Sequence, residues 1–98
     1  MAQGILRLPT DAERRRVQEI VDRHLPERPE GVRRVDFRFD EDHTGYPAVY
    51  IDLFVDKNLD PNPRKIEELN GFLKILHDEI INSGIGFWPY SRTFLDEE

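Results

Sequence analysis

The amino-acid sequence predicts an α+β fold: a two-layer sandwich in which two helices cover one face of a small, mainly antiparallel sheet, in the order helix, strand, strand, helix, strand. Two patterns carry this expectation. Apolar residues recur every third or fourth position around 17–25 and 66–80, and they alternate with polar ones over 35–40 and 47–56. A chain of 98 residues supports one domain, 1–98, with residues 1–9 as an N-terminal arm and 96–98 as an acidic tail. A core of this size is modest, which favours added stability from a partner or a second copy of the chain.

The arm, Gly4 to Leu8, is apolar and ends at Pro9; it reads as a short edge strand or a docking segment. Thr10 and Glu13 form a capping box, since each side chain can satisfy the other's free backbone N–H at a helix start. Val17, Ile20, Val21 and Leu25 then make one apolar stripe, and Pro26 with Pro29 ends the helix. After Gly31 the period changes to two. Val35, Phe37 and Phe39 face one way while Arg34, Asp36, Arg38 and Asp40 face the other. The polar segment 40–45 turns the chain into a second strand, whose Val49, Ile51, Leu53 and Val55 face inward. Its opposite face, with Ala48, Tyr50, Asp52 and Phe54, is less polar than that of the first strand.

Asn62 and Pro63 suit the cap and first position of the second helix. Ile66, Leu69, Leu73, Leu76 and Ile80 make its core stripe, widened by Phe72 and Ile75, and Gly84 closes it. Gly71 inside it marks a kink or a close contact with the sheet. The last extended segment, 86–95, contains Pro89 and is therefore placed at a sheet edge.

Charge bears on partners. The chain carries 20 acidic and 14 basic residues, a net −6, and the excess is uneven: +2 up to Phe39 and −8 from Asp40 onward. An anionic half repels phosphates, so nucleic acid is not the expected partner, and a basic protein is. Arg14, Arg15 and Arg16 are the one basic cluster, but Glu13 and Glu19 flank them and the run reads as a solvated helix face. There is no cysteine, which fits a reducing compartment, and no apolar run of signal or membrane length; a cytoplasmic protein with no membrane partner is expected.

No catalytic residues, cofactor or metal site are expected, and the chain is read as a non-enzyme. Asp40, Asp42, Thr44 and Gly45 match the opening of a calcium loop, yet the twelfth position is Ile51 and no helices flank the segment. His24, His43 and His77 show no two-histidine ligand spacing. Neither Ser83 nor Ser91 lies in a nucleophile elbow. The aromatics are more informative. Tyr50 and Phe54 occupy the sheet face left uncovered by helices, with Trp88 and Tyr90 at its edge, so Tyr50, Phe54, Trp88, Tyr90 and Asp52 are the expected partner-binding set. Asp40, Glu41, Asp42 and Asp56 form an acidic rim expected to steer a basic partner.

From Val32 onward the chain resembles small bacterial proteins through D-x-T-G-x-P-A-V-Y over Asp42–Tyr50 and G-I-x-F-x-P-Y-S-R-x-F from Gly84. That resemblance implies an antitoxin-like companion of a HEPN-domain protein. The same region is similar to ribosome-binding factor A, through Ala48–Tyr50, Asn70–Leu73 and the late Pro89. This second resemblance implies a KH-like fold with a kinked helix pair, and RNA or ribosome binding. The first expectation is thus a noncatalytic protein-interaction module, self-associating or bound to a basic partner; the alternative is a KH-like RNA-binding factor.

Overall fold

The capping box opens the structure. In the computed structural model, which describes residues 7–96, the Thr10 hydroxyl accepts from the Glu13 N–H at 3.1 Å and the Glu13 carboxylate accepts from the Thr10 N–H at 2.9 Å. Helix α1 runs from Asp11 to His24 and buries Val17, Ile20 and Val21. Of the arm, only Arg7 to Pro9 is described; the remainder of that expectation lies outside the described residues. Arg7 holds this segment down, pairing with Glu13 at 2.6 Å and lying 4.2 Å over the Phe87 ring.

A short 3-10 turn, Leu25–Glu27, leads to Gly31, which has a φ of +97°. The positive φ favours glycine, and a Cβ there would also come within 2.6 Å of the tip of the Leu59 side chain, which would have to shift. Strands β1 (Val32–Glu41) and β2 (Pro47–Asp56) form the expected antiparallel hairpin, with Phe37 opposite Ile51 and Phe39 opposite Val49. Helix α2 (Pro63–Asn82) starts where Asn62 accepts from the Lys65 N–H at 2.8 Å, and it ends before Gly84, whose φ is +73°.

Strand β3 (Trp88–Asp96) joins β2 in parallel, from Ala48 opposite Trp88 to Asp56 opposite Asp96. The sheet order β1-β2-β3 makes β2 central, with one antiparallel and one parallel pairing, so the sheet is mixed. This parallel return is what a helical crossover produces: α2 carries the chain back to the end where β2 began. Asp96, expected in an acidic tail, is the last residue of β3; Glu97 and Glu98 lie outside the described residues.

The core lies between helices and sheet. Val17, Ile20 and Val21 from α1 meet Val49, Ile51, Leu53 and Val55 from β2 and Phe72, Leu73, Leu76 and Ile80 from α2. Val35, Phe37 and Phe39 point inward as expected but are only half-buried, because β1 is an edge strand. Ile66 and Ile75 are exposed: the apolar stripe of α2 is wider than the surface that α1 and the sheet cover. Among the described residues, no helix is long and apolar enough to cross a membrane.

Gly71 corrects an expectation. The helix runs unbroken from 63 to 82, at the place where the KH-like resemblance implies a kinked pair. A Cβ at Gly71 would meet nothing within 4 Å, so no close contact with the sheet requires glycine. Gly71→Ala is therefore expected to raise stability by about 0.5–1 kcal/mol through helix propensity and a less flexible unfolded chain. A chemical denaturation midpoint that falls in the variant would contradict this.

Candidate functional site

The helices cover one side of the sheet, and the other side is the candidate site. The two registers set its residues in rows. Asp40, Ala48 and Trp88 lie across the strands at one end; Arg38, Tyr50 and Tyr90 follow, then Asp36, Asp52 and Arg92, then Arg34, Phe54 and Phe94. A bulge between Val32 and Arg34 lets Arg33 join the last row, where it meets Asp56 at 3.5 Å and Asp96 at 3.4 Å.

Aromatic rings pair across the parallel strands. Tyr50 stacks on Tyr90 with centroids 5.5 Å apart, and Phe54 on Phe94 at 5.3 Å. Guanidinium groups lie over these rings: Arg34 over Phe54 at 3.9 Å, Arg38 over Tyr50 at 4.7 Å, and Arg92 over Phe94 at 5.2 Å. Ring quadrupoles attract cations, so each arginine is held by an aromatic face as well as by a carboxylate. The carboxylate partners are Asp36 for Arg34 at 3.0 Å and Asp40 for Arg38 at 3.2 Å.

Asp52 sits at the centre and is only 8% exposed. Arg92 reaches one of its oxygens at 3.3 Å and Arg38 the other at 3.7 Å. It was expected to meet a partner directly. Its position on the central strand makes it the hub that orients two arginines, because a carboxylate this buried needs paired cations.

The acidic rim divides in the same way. Asp40 and Glu41 lie at the end of β1, and Asp56 pairs with Arg33. Asp42 is taken up by the hairpin turn: one oxygen accepts from the Thr44 hydroxyl at 2.6 Å, the Thr44 N–H at 2.8 Å and the Tyr46 N–H at 3.0 Å. Its other oxygen accepts from the Tyr90 hydroxyl at 2.9 Å, which ties the turn to β3. These bonds, the Thr44 hydroxyl first, hold the Asp42 carboxyl far below its ordinary value of 3.8. Their stabilisation is complete above that ordinary value and is lost as pH falls through the lower folded one. Asp42→Ala is thus expected to be less stable than wild type at pH 7, with the difference shrinking below about pH 3. A gap that stays constant down to acid unfolding would show that the ionised carboxylate is not what holds the turn.

Trp88 is 55% exposed at the corner of the face. There it borders a groove of about 480 Å³ with Tyr46, Ile81 and the buried Phe87. The structure therefore brings Tyr50, Phe54, Trp88 and Tyr90 to one face and adds Arg33, Arg34, Arg38, Arg92 and Phe94. Arg92 and Phe94 escaped the sequence reading because their alignment with Asp52 and Phe54 depends on a parallel register that no local pattern encodes.

The histidines stand apart from this face. His24 bonds Glu79 of α2, which also receives Arg23 at 2.5 Å, and the Glu79 bond raises the His24 pKa; this cluster joins the two helices. His77 is half-buried with Nε2 unpartnered, and burial lowers its pKa. Among the described residues, no three His, Asp or Glu side chains converge to hold a metal ion. No family model matches the chain, and neither a curated protein nor a solved structure matches it.

Proposed function

We propose that this protein is a noncatalytic protein-interaction module that receives a basic partner on the open sheet face. The observation that carries this reading is the face itself: stacked aromatic pairs, a half-exposed tryptophan at the corner, and arginines already paired with aspartates. Tyrosine, tryptophan and arginine are the residue types that dominate protein interfaces, and here their side chains are preorganised by stacking, so little freedom is lost on binding. Four arginines and five aspartates make the face nearly neutral, while the chain as a whole is −6. Long-range attraction would bring a basic partner in, and aromatic contact would hold it.

The resemblance of Asp42–Tyr50 and Gly84–Phe94 to antitoxin-like proteins makes a HEPN-domain, nuclease-like protein the partner to test. Co-expression with such a protein is expected to yield a complex and to suppress its toxicity. Tyr50→Ala or Trp88→Ala is expected to cost about 2 kcal/mol of binding, roughly thirtyfold in affinity. Trp88→Ala, at an exposed position, should leave the unfolding midpoint in place. Full-strength binding by both folded variants would remove the face from the interface.

A KH-like RNA-binding reading is favoured by one feature, the rings and guanidinium planes on an open sheet, which are surfaces on which bases stack. Against it, a phosphate would have to displace Asp36, Asp40 or Asp52 from the arginines. Submicromolar, steeply salt-sensitive binding in RNA fluorescence anisotropy would select this reading instead.

A further inference from the structure

The open face leaves one flank of the molecule unexplained, the side where β3 has no neighbouring strand among the described residues. Among the described residues, the stretch 88–95 of β3 borders only β2, and its outer edge, about 25 Å long, carries backbone groups that can pair with another chain, apart from the N–H that Pro89 lacks. The two edges of the sheet are unlike. β1 carries six charged residues in ten along its length, a composition that discourages edge pairing, whereas β3 carries only Arg92 and Asp96 in nine.

Apolar surface flanks both ends of β3. At the Trp88 end is the groove bordered by Tyr46, Ile81 and Phe87, whose lining contains no charged residue. At the Leu95 end is a second groove of about 490 Å³, formed with Leu59, Ile66 and Leu69, and its lining contains no carboxylate. Leu95 is 62% exposed and Ile66 46%. Neither groove is lined by a carboxylate, and the one acidic residue of β3 is Asp96 at its end. These grooves offer a basic partner no counter-charge, and they offer a second copy apolar surface with no carboxylate in the lining to bury.

We propose that β3 pairs antiparallel with β3 of a second copy about a two-fold axis at Ser91, extending the sheet to six strands. A two-fold interface must be self-complementary, and this one is. Antiparallel pairing brings the Trp88 end of one copy beside the Leu95 end of the other. Leu95 then lies opposite the partner's Phe87, at its groove, and the same contact is repeated on the other side of the axis.

Charge selects the register. An axis at Arg92 would set two guanidinium groups directly opposite, which is unfavourable. Moving the axis to Ser91 keeps the helices of both copies on one side of the sheet. It places Arg92 opposite the partner's Tyr90, a cation facing an aromatic ring, and Trp88 opposite the partner's Phe94. The two open faces then become one continuous surface.

Light scattering with sedimentation velocity on the full chain at micromolar concentration is expected to give twice the 11.6 kDa of one chain. Leu95→Lys puts a charge on an exposed edge position and is expected to weaken the dimer at least tenfold while leaving the circular dichroism spectrum unchanged. Since the chain has no cysteine, Ser91→Cys provides a direct test of the axis. It should form a disulfide-linked dimer on mild oxidation far faster than His43→Cys in the exposed hairpin turn. A strictly monomeric wild type, or equal cross-linking rates for the two cysteine variants, overturns the proposal. The β3 edge shares Trp88, Tyr90, Arg92 and Phe94 with the open face, but Tyr50 lies on β2 away from the edge, so a monomer that still binds a basic partner through Tyr50 would refute the dimer alone. A dimer with no partner binding would refute only the proposed function.

Discussion

Leu76→Ala is expected to destabilise the protein by about 2–5 kcal/mol, the largest loss from any single truncation considered. Leu76 is fully buried in α2, within the core that also includes Val17 and Val21 of α1 and Ile51 and Leu53 of β2. Removing its branched end leaves a void where side chains of α1, α2 and β2 meet, and none can close it without leaving another contact. Leu73, at 6% exposure on the same stripe, should follow closely. A domain of this size has only about 5–15 kcal/mol in total, so Leu76→Ala should bring the urea midpoint down sharply. An unchanged midpoint would falsify the assignment of α2 as the central core helix.

The second large effect is expected at Asp52. Asp52→Ala removes the carboxylate shared by Arg38 and Arg92, and both arginines remain over the Tyr50 ring, at 4.7 and 5.5 Å, with one less counter-charge between them. A cost of about 1–3 kcal/mol is expected, below the full penalty for a buried pair because both arginines are nearly half exposed. Asp52→Asn should recover part of the loss by keeping an acceptor. The same change also makes the face more basic by one charge. If the arginines are as closely held by Asp52 as the distances indicate, Asp52→Ala should bind single-stranded RNA better than wild type in low salt. Equal stability of Asp52→Ala and wild type in urea would mean that the stacked rings alone keep the arginines in place.

Much of the fold was legible because its signals are local. The Thr10 and Glu13 capping box, the Asn62 cap and the alternation of Val49, Ile51, Leu53 and Val55 are set by neighbours a few residues apart, and each is found in the structure. What escaped depended on distant pairing. Whether β3 runs parallel or antiparallel to β2 changes nothing in its own sequence, yet it decides that Arg92, rather than another residue, meets Asp52. Gly71 misled for another reason: a glycine in a helix usually reports a packing demand, and here its Cβ would project into open space. The site was half visible in the same sense. Its aromatic residues stand out in the sequence, but the burial of Asp52 and the engagement of Asp42 in its own turn come from three-dimensional neighbours.

The parallel β2–β3 pairing also sets the order in which the molecule can assemble. The hairpin partners are close in sequence, so β1 and β2 can meet early and cheaply in loop entropy. Tyr50 and Tyr90, Asp52 and Arg92, and Phe54 and Phe94 are each separated by forty positions, with the whole of α2 between them. Closing that longer loop costs more entropy than closing the hairpin, so these contacts are expected to form later. The open face is therefore expected to be completed late in folding. Rapid-mixing experiments that follow Trp88 emission should see it change in the slowest phase, after the circular dichroism of the helices has largely appeared.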